Sequence, residues 1–302
     1  MNGYLIDFRF IKNQEIVSLK EKLGIECISF ARKAPQLNVE YQEFSGSNGS
    51  REVEKSFKSF TIEVEFYAEF KNMYDYQLKE TELYAFLFDD EGYYVFTDRE
   101  PGKKYFVRPN SVEVNEIGLR YATYKTTFTV FRGCSESMAS TLSDFSLSDE
   151  WQFSQGLVAE DYKYTHRTSN FIIYNAGDFA IDPREHALKI TLEGESEGNV
   201  TIFNKTTGER FIYYPEFSTS LGQTLTLDRV YPKLNGVNCG IDTNLSLITL
   251  AVGTNEIEIQ NVTRVESKWD FNFLYKIFCI SRWEFERYFY PRLRENKKRN
   301  ID

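Results

Sequence analysis

Residues 171–260 are cut into short apolar runs by turns built from Asn, Gly and Asp, and this punctuation narrows the choice of fold more than any other feature. Phe171-Ile-Ile-Tyr174 is stopped by Asn175-Ala-Gly-Asp178, because Asn and Gly tolerate left-handed backbone angles. Asp178-Phe-Ala-Ile181 resumes the strand, and Asp182-Pro183 ends it. At the far end, Leu250-Ala-Val-Gly-Thr-Asn255 turns into Glu256-Ile-Glu-Ile-Gln260. Ile257 and Ile259 lie on one face of that run, and Glu256, Glu258 and Gln260 on the other. Between these ends lie Leu188–Leu192, Val200–Phe203, Glu209–Tyr214 and Thr224–Asp228. Strands this short, at this spacing, predict a β-sandwich. The pattern holds no chemistry and describes a module that packs and binds.

The upstream half alternates over longer stretches. Tyr4–Phe10 reads as a first strand, and Ile16–Ile25 as a turn region with short strand pieces. In Phe57–Tyr67, Phe60, Ile62, Val64 and Phe66 face one way, and Thr61, Glu63 and Glu65 the other. The period then changes over Asn72–Phe88. Tyr74, Leu78, Thr81, Ala85 and Phe88 recur at helical spacing, with Leu83 and Leu87 widening the stripe. Asp89-Asp-Glu-Gly92 ends that helix. Tyr93–Thr97 and Tyr105–Arg108 pair as a hairpin around Glu100-Pro-Gly-Lys103, and Ala122–Phe131 is a further strand. A mainly β chain follows: an α+β module over 1–133 with one helix, a linker at 134–148 carrying six serines, a sandwich over 149–275, with a last strand at Trp269–Tyr275, and a basic, aromatic end at 276–302.

Charge is distributed unevenly. Residues 1–133 carry 18 basic and 21 acidic side chains, 134–270 carry 10 and 20, and 271–302 carry 8 and 4. The acidic body disfavours general phosphate binding, which needs clustered Lys and Arg. No apolar run is long enough to span a membrane, and the N-terminus lacks the basic and apolar regions of a signal peptide, so synthesis in a cytosol is expected. Cys27, Cys134, Cys239 and Cys279 are scattered and read as reduced thiols.

The order of these features resembles the distal tail proteins of long, non-contractile-tailed bacteriophages. The resemblance is carried by Gly46–Arg51 leading into Phe57–Tyr67, the helix ending in Leu83-Tyr-Ala-Phe-Leu-Phe88, and the hairpin Asp98–Lys103 running into Tyr105-Phe-Val-Arg108. The strand Tyr124–Phe131, the turns Asn175–Asp178 with Pro183 and Asn204–Gly208, and Gly253–Asn255 complete it. It covers roughly residues 1–275. It implies a homohexameric ring of N-terminal modules with galectin-like sandwiches projecting outward. It also implies a structural, non-enzymatic hub at the virion tail tip, assembled in the bacterial cytoplasm. The implied partners are the tail tube protein, the tape-measure protein, a tail-tip lysin or fibre, and receptor-binding baseplate proteins. DNA would meet the hub only in transit, through a channel with an acidic or neutral lining.

The residues themselves offer little for catalysis. His166 and His186 are the only histidines, each in a polar stretch or turn read as surface. No HExxH, GxSxG or paired CxxC occurs, and Asp89–Gly92 lacks the ligand spacing of an EF-hand. No metal, cofactor or catalytic residue is expected. Carbohydrate binding by the sandwich, for attachment to the host cell wall, is the alternative function. Trp151 and Trp269, near the ends of that module, are read as packing residues. The candidate interface residues are Arg51 beside the Ser45–Ser50 loop, Lys103 in the hairpin, and Trp283, Arg287 and Arg292 in the basic end. The loop and hairpin read equally as ring contacts or as ordinary exposed turns. The basic end mixes aromatics with Arg, as interface hot spots do. A nucleic-acid arm is its rival reading, weakened by Glu284, Glu286 and Glu295.

Overall fold

Alternation along the strands produces two separate apolar clusters, one in each half of the chain. The computed structural model describes residues 6–46, 48–143 and 162–276. Its first half contains β1 (Phe8–Lys12), β2 (Glu15–Ser18), α1 (Leu19–Leu23), β3 (Ile25–Arg32), β4 (Leu37–Glu43), β5 (Ser50–Phe57), β6 (Phe60–Glu69), α2 (Met73–Leu87), β7 (Tyr93–Thr97), β8 (Lys103–Ile117) and β9 (Tyr121–Val130). Antiparallel pairing joins all strands but β4 and β5 in the order β2-β1-β7-β8-β9-β6-β3. A bridge from Ile6 to Cys27 ties the β1 end back to β3 and curls the sheet round on itself. Phe60, Ile62, Val64 and Phe66 of β6 point into the enclosed core, as their alternation requires. There the Phe8 ring meets those of Phe66 and Phe128 at 5.8 and 6.0 Å.

Two elements depart from the sequence reading. The stretch read as a turn region contains α1, closed by Gly24 in the left-handed conformation at φ 66°. The long helix forms where expected, with Asn72 accepting the Asp75 amide at its start, but it buries a different face. Tyr76, Leu83, Phe86 and Leu87 pack inward, while Tyr74, Leu78, Thr81, Ala85 and Phe88 are exposed. Apolar residues occupy both sides of α2, so spacing alone cannot say which side meets the core. The core decides it: Phe86 meets the edge of Phe10, and Tyr76 that of Phe70.

The second half contains β10 (Ser135–Ser137), β11 (Thr165–His166), β12 (Asn170–Asn175), β13 (Leu188–Ser196), β14 (Val200–Asn204), β15 (Arg210–Tyr213), β16 (Phe217–Ser218), β17 (Leu225–Asp228), β18 (Tyr231–Leu234), β19 (Val237–Asn238), β20 (Gly253–Gln260), β21 (Thr263–Phe271) and β22 (Leu274–Tyr275). One sheet runs β11-β21-β13-β17-β18-β19, with β16 added to β13; the other runs β12-β20-β14-β15. Ile190 and Trp269 of the first and Ile173, Ile202 and Ile257 of the second share one core. The expected last strand at Trp269–Tyr275 is divided into the end of β21 and the separate β22, and Asp178–Ile181 contributes only a bridge from Ile181 to Leu250.

The asparagines that punctuate the sequence work inside this sandwich. Asn255 accepts the Ala251 amide at 2.8 Å and donates to the Ala251 carbonyl. Asn204 donates to the Thr249 carbonyl and to Asn255 Oδ1. Both are fully buried, so they satisfy turn backbone that water cannot reach.

A candidate assembly interface

The junction between the halves lies where a slack linker is expected at 134–148. Its described part, 134–143, is instead built into the structure. β10 pairs with the start of β8 on one side and with β22 on the other, so one short strand belongs to both halves. Ser137 Oγ accepts the Phe273 amide at 3.0 Å, and Thr141 Oγ1 donates to the Trp269 carbonyl at 2.7 Å. Small side chains suit this place because three backbones crowd together there. Glu136 is buried between the Arg132 guanidinium and the Tyr94 hydroxyl, which donates to it at 2.9 Å. Gly177 allows the closest approach: a Cβ there would stand 2.7 Å from the Leu274 carbonyl oxygen. Next to it, the Asp178 amide donates to that same carbonyl at 2.7 Å, and Asp178 Oδ2 accepts the Lys276 amide at 2.8 Å.

Lys103 belongs to this junction. Its ammonium lies 5.3 Å from the Tyr275 ring centroid, and burial pulls its pKa down. Its described neighbours are in its own chain, and the hairpin lysine is half-buried. In the same hairpin, Glu100 accepts from Arg32 at 2.6 Å and from the Tyr105 hydroxyl at 2.8 Å.

Arg51 lies in a different setting. β4 and β5 pair only with each other, from Leu37↔Phe57 to Glu43↔Ser50, and form a two-stranded arm apart from every other sheet. Seven residues of strand carry it roughly 23 Å outward. Its root is fixed: the Phe57 ring meets Phe179 of the sandwich edge-on at 5.7 Å, and Lys58 donates its amide to the Gln36 carbonyl. Beyond the root, Tyr41 is 65% exposed and Val53 60%. Phe44 is also exposed, with the Arg51 guanidinium 5.8 Å from its ring centroid. An isolated hairpin is at best marginally stable in water, and this one exposes these three apolar side chains along its length. The loop composition drew attention to Arg51, whereas the apolar side chains beside it at Tyr41, Phe44 and Val53 carry no periodic signal in the sequence. Trp283, Arg287 and Arg292, with Trp151 and Cys279, lie outside the described residues. The structure therefore does not bring Arg51 and Lys103 into one site.

The remaining polar candidates are embedded in the fold. His166 stacks on Phe171 at 4.2 Å, and His186 takes the Asp182 amide on Nδ1 at 3.4 Å. Both are half-buried, and burial lowers both pKa values. Cys27 and Cys134 are buried free thiols, each pushed by burial up to about 12. Trp269 is fully buried and offers no open ring face to a sugar.

Comparison with known proteins agrees with this architecture. Residues 12–130 match the family model of the phage tail protein RIFT-related domain. Most of the chain shares its fold with the crystal structure of the Dit protein of phage SPP1, described as a paradigm of the hub adsorption apparatus in phages that infect Gram-positive bacteria. That likeness has a TM-score of 0.63 at 10% identity and covers 89% of this chain and 99% of the other. A chain of the phage p2 baseplate in its activated conformation aligns with a TM-score of 0.45 at 11% identity, over 88% of this chain and 97% of that one. Curated protein sequences give no match.

Proposed function

We propose that this chain, a phage tail protein by its RIFT-related domain and a distal tail protein by resemblance, is the hub of the tail tip. Six copies close into a ring through their N-terminal modules, and the sandwiches project outward. The arm formed by β4 and β5 carries this reading. It exposes Tyr41, Phe44 and Val53 and finds no surface for them among the described residues of its own chain. A projecting arm seated on the next copy makes a head-to-tail contact, and such contacts close into rings when the rotation permits. The ring would join the tail tube and tape-measure proteins on one side to a tail-tip lysin or fibre and receptor-binding baseplate proteins on the other. Its role is assembly without catalysis, and its place is the virion tail tip after assembly in the host cytoplasm.

Electron microscopy of the virion tip tests this directly, with a sixfold ring of this protein at the distal end of the tube as the expected image. A capsid location, or single copies at the tip, would end the reading. A monomer in isolation would not, because ring closure can require the tail tube. No observation favours carbohydrate binding, since Trp269, the described tryptophan of the sandwich, is buried in its core.

A further inference from the structure

Three Asn-Gly pairs occur in the sequence, and two of them lie among the described residues in opposite settings. The pair is chemically reactive because the glycine amide nitrogen can swing onto the asparagine side-chain carbon, with no side chain in the way and few backbone angles forbidden. Asn235-Gly236 is the whole loop between β18 and β19, with Leu234 paired to Val237 and φ of 49° and 82°. Positive φ at both positions fits the tight turn that joins two antiparallel strands. The pair is also held from outside. Asn235 Oδ1 accepts the Thr224 amide at 2.8 Å, and Asn235 donates its own amide to the Thr224 carbonyl at 3.0 Å. Asn48-Gly49 lies at the tip of the arm, beyond the last pair of its strands, Glu43↔Ser50. Both residues are exposed, and a Cβ on Gly49 would meet nothing within 4 Å. Among the described residues no hydrogen bond holds the Asn48 side chain or the Gly49 amide.

We propose that Asn48 is a self-modification site, at which Gly49 N closes on Asn48 Cγ and water converts the side-chain amide to a carboxylate. In the first step the Gly49 amide nitrogen gives its proton to water and bonds to Asn48 Cγ. The Cγ–Nδ2 bond breaks, ammonia leaves, and a cyclic imide remains. In the second step water adds to either imide carbonyl. Cleavage between Gly49 N and Cγ gives aspartate. Cleavage between Gly49 N and the Asn48 backbone carbonyl carbon gives isoaspartate, whose main chain runs through Cβ. Nothing is oxidised or reduced: one amide and one water become one carboxylate and one ammonium ion. The new charge appears where residues 37–57 already carry four acidic side chains against two basic. It also stands three residues from Arg51, whose guanidinium faces the Phe44 ring at 5.8 Å. Isoaspartate in addition lengthens the main chain in the turn that sets the Glu43↔Ser50 register. If the arm is the ring contact, a consequence that rests on the function proposed above, modified copies lose their seat and the chain carries a clock that favours prompt assembly.

Incubation of the full chain at mildly alkaline pH in 18O-labelled water, followed by peptide mapping, reads each site by its uptake of label. Isoaspartyl methyltransferase labelling reads the main-chain isomer. In the folded chain position 48 is expected to take up label roughly thirtyfold faster than position 235, where two hydrogen bonds must open before the ring can close. In concentrated guanidinium chloride the two rates should converge, because only the fold separates them. Equal rates in the folded chain would overturn the proposal. So would a position 48 that stays unlabelled in the folded chain while the unfolded chain takes up label there. Sizing an aged preparation with the tail tube protein present should find modified copies depleted from rings. If position 48 converts and modified copies enter rings in proportion, the modification stands and the arm tip's part in the ring falls.

Discussion

The arm and the junction begin from similar sequence. Ser45–Ser50 is Gly- and Ser-rich, and Ser135–Ser148 is Ser-rich, so both read as slack connections. In the fold they are opposites. Ser135 and Ser137 are fully buried in a strand with a partner on each side. The loop at 44–50 ends an arm that leaves its own chain behind. Small side chains permit two outcomes: freedom in solvent, or backbones packed too closely for anything larger. Which one occurs depends on whether a second strand arrives, and at the junction β22 arrives from almost 140 residues away. A contact of that range leaves no local mark in the sequence.

The contrast is open to attack from the junction first. Glu136→Ala removes the carboxylate that neutralises Arg132 and leaves the guanidinium and the Tyr94 hydroxyl without their acceptor. Loss of one partner from a buried pair costs roughly 3–5 kcal/mol, and Arg132, still partly exposed, places this variant near the lower end. Chemical denaturation should show that loss; a change under about 1 kcal/mol would mean the junction is no more structural than the arm. Gly177→Ala should come next, at about 2 kcal/mol, because its Cβ meets β22 backbone that cannot rotate aside.

A smaller effect at the junction depends on pH. Burial holds the pKa of His186 below its ordinary 6.5, with Glu185, Glu136 and Asp182 opposing the shift and Arg132 aiding it. The folded state therefore favours the neutral ring, which accepts the Asp182 amide. Stability from this group is complete above pH 6.5 and is lost as pH falls through the lowered folded value. His166 shifts in the same direction. The depressed carboxylates, Glu63 among them, respond only below about 4.5. Melting temperature measured from pH 7 to 5 should decline, and His186→Gln should flatten the decline. An unchanged slope in that variant would remove His186 from the account. The arm contains no histidine, so its contacts should not follow this titration.

Much of the fold is legible in the sequence because its core obeys short periods. The alternation of Phe60 through Phe66 and the Asn and Gly turns around Ile257 and Ile259 correspond to real strands and real turns. Legibility fails where two answers satisfy one period, as in α2, whose stripe at Tyr74, Leu78 and Phe88 faces outward. It fails again where a residue's partner is distant in the chain. Lys103 reads as exposed in a Pro-Gly hairpin, and only the return of Tyr275 shows that it is half-buried beside that ring. Of the two candidate interface residues that are described, Arg51 stands on exposed structure without a partner sheet, and loop composition indicated it without revealing Tyr41 and Val53 beside it.

The arm should give the smallest effect on the fold and the clearest effect on assembly. Tyr41 and Val53 are mostly exposed, so Tyr41→Ser/Val53→Ser removes little buried surface from the isolated chain. Surface changes of this kind stay within about 0.5 kcal/mol each, or about 2 °C in melting temperature for a chain of this size. If the arm seats on a neighbour, the same side chains become buried there, and hot-spot residues contribute about 2 kcal/mol or more. That corresponds to an association roughly thirtyfold weaker per contact, repeated at every interface of a ring. Sedimentation or electron microscopy, with the tail tube protein present where closure requires it, should then show rings from the parent chain and few or none from the variant at equal concentration. Melting of the unassembled protein should be nearly identical for the two. A variant that melts several degrees lower while still forming rings would reverse the contrast: the arm would have its seat within its own chain, and the two serine-bearing stretches would differ only in how far away their partner lies.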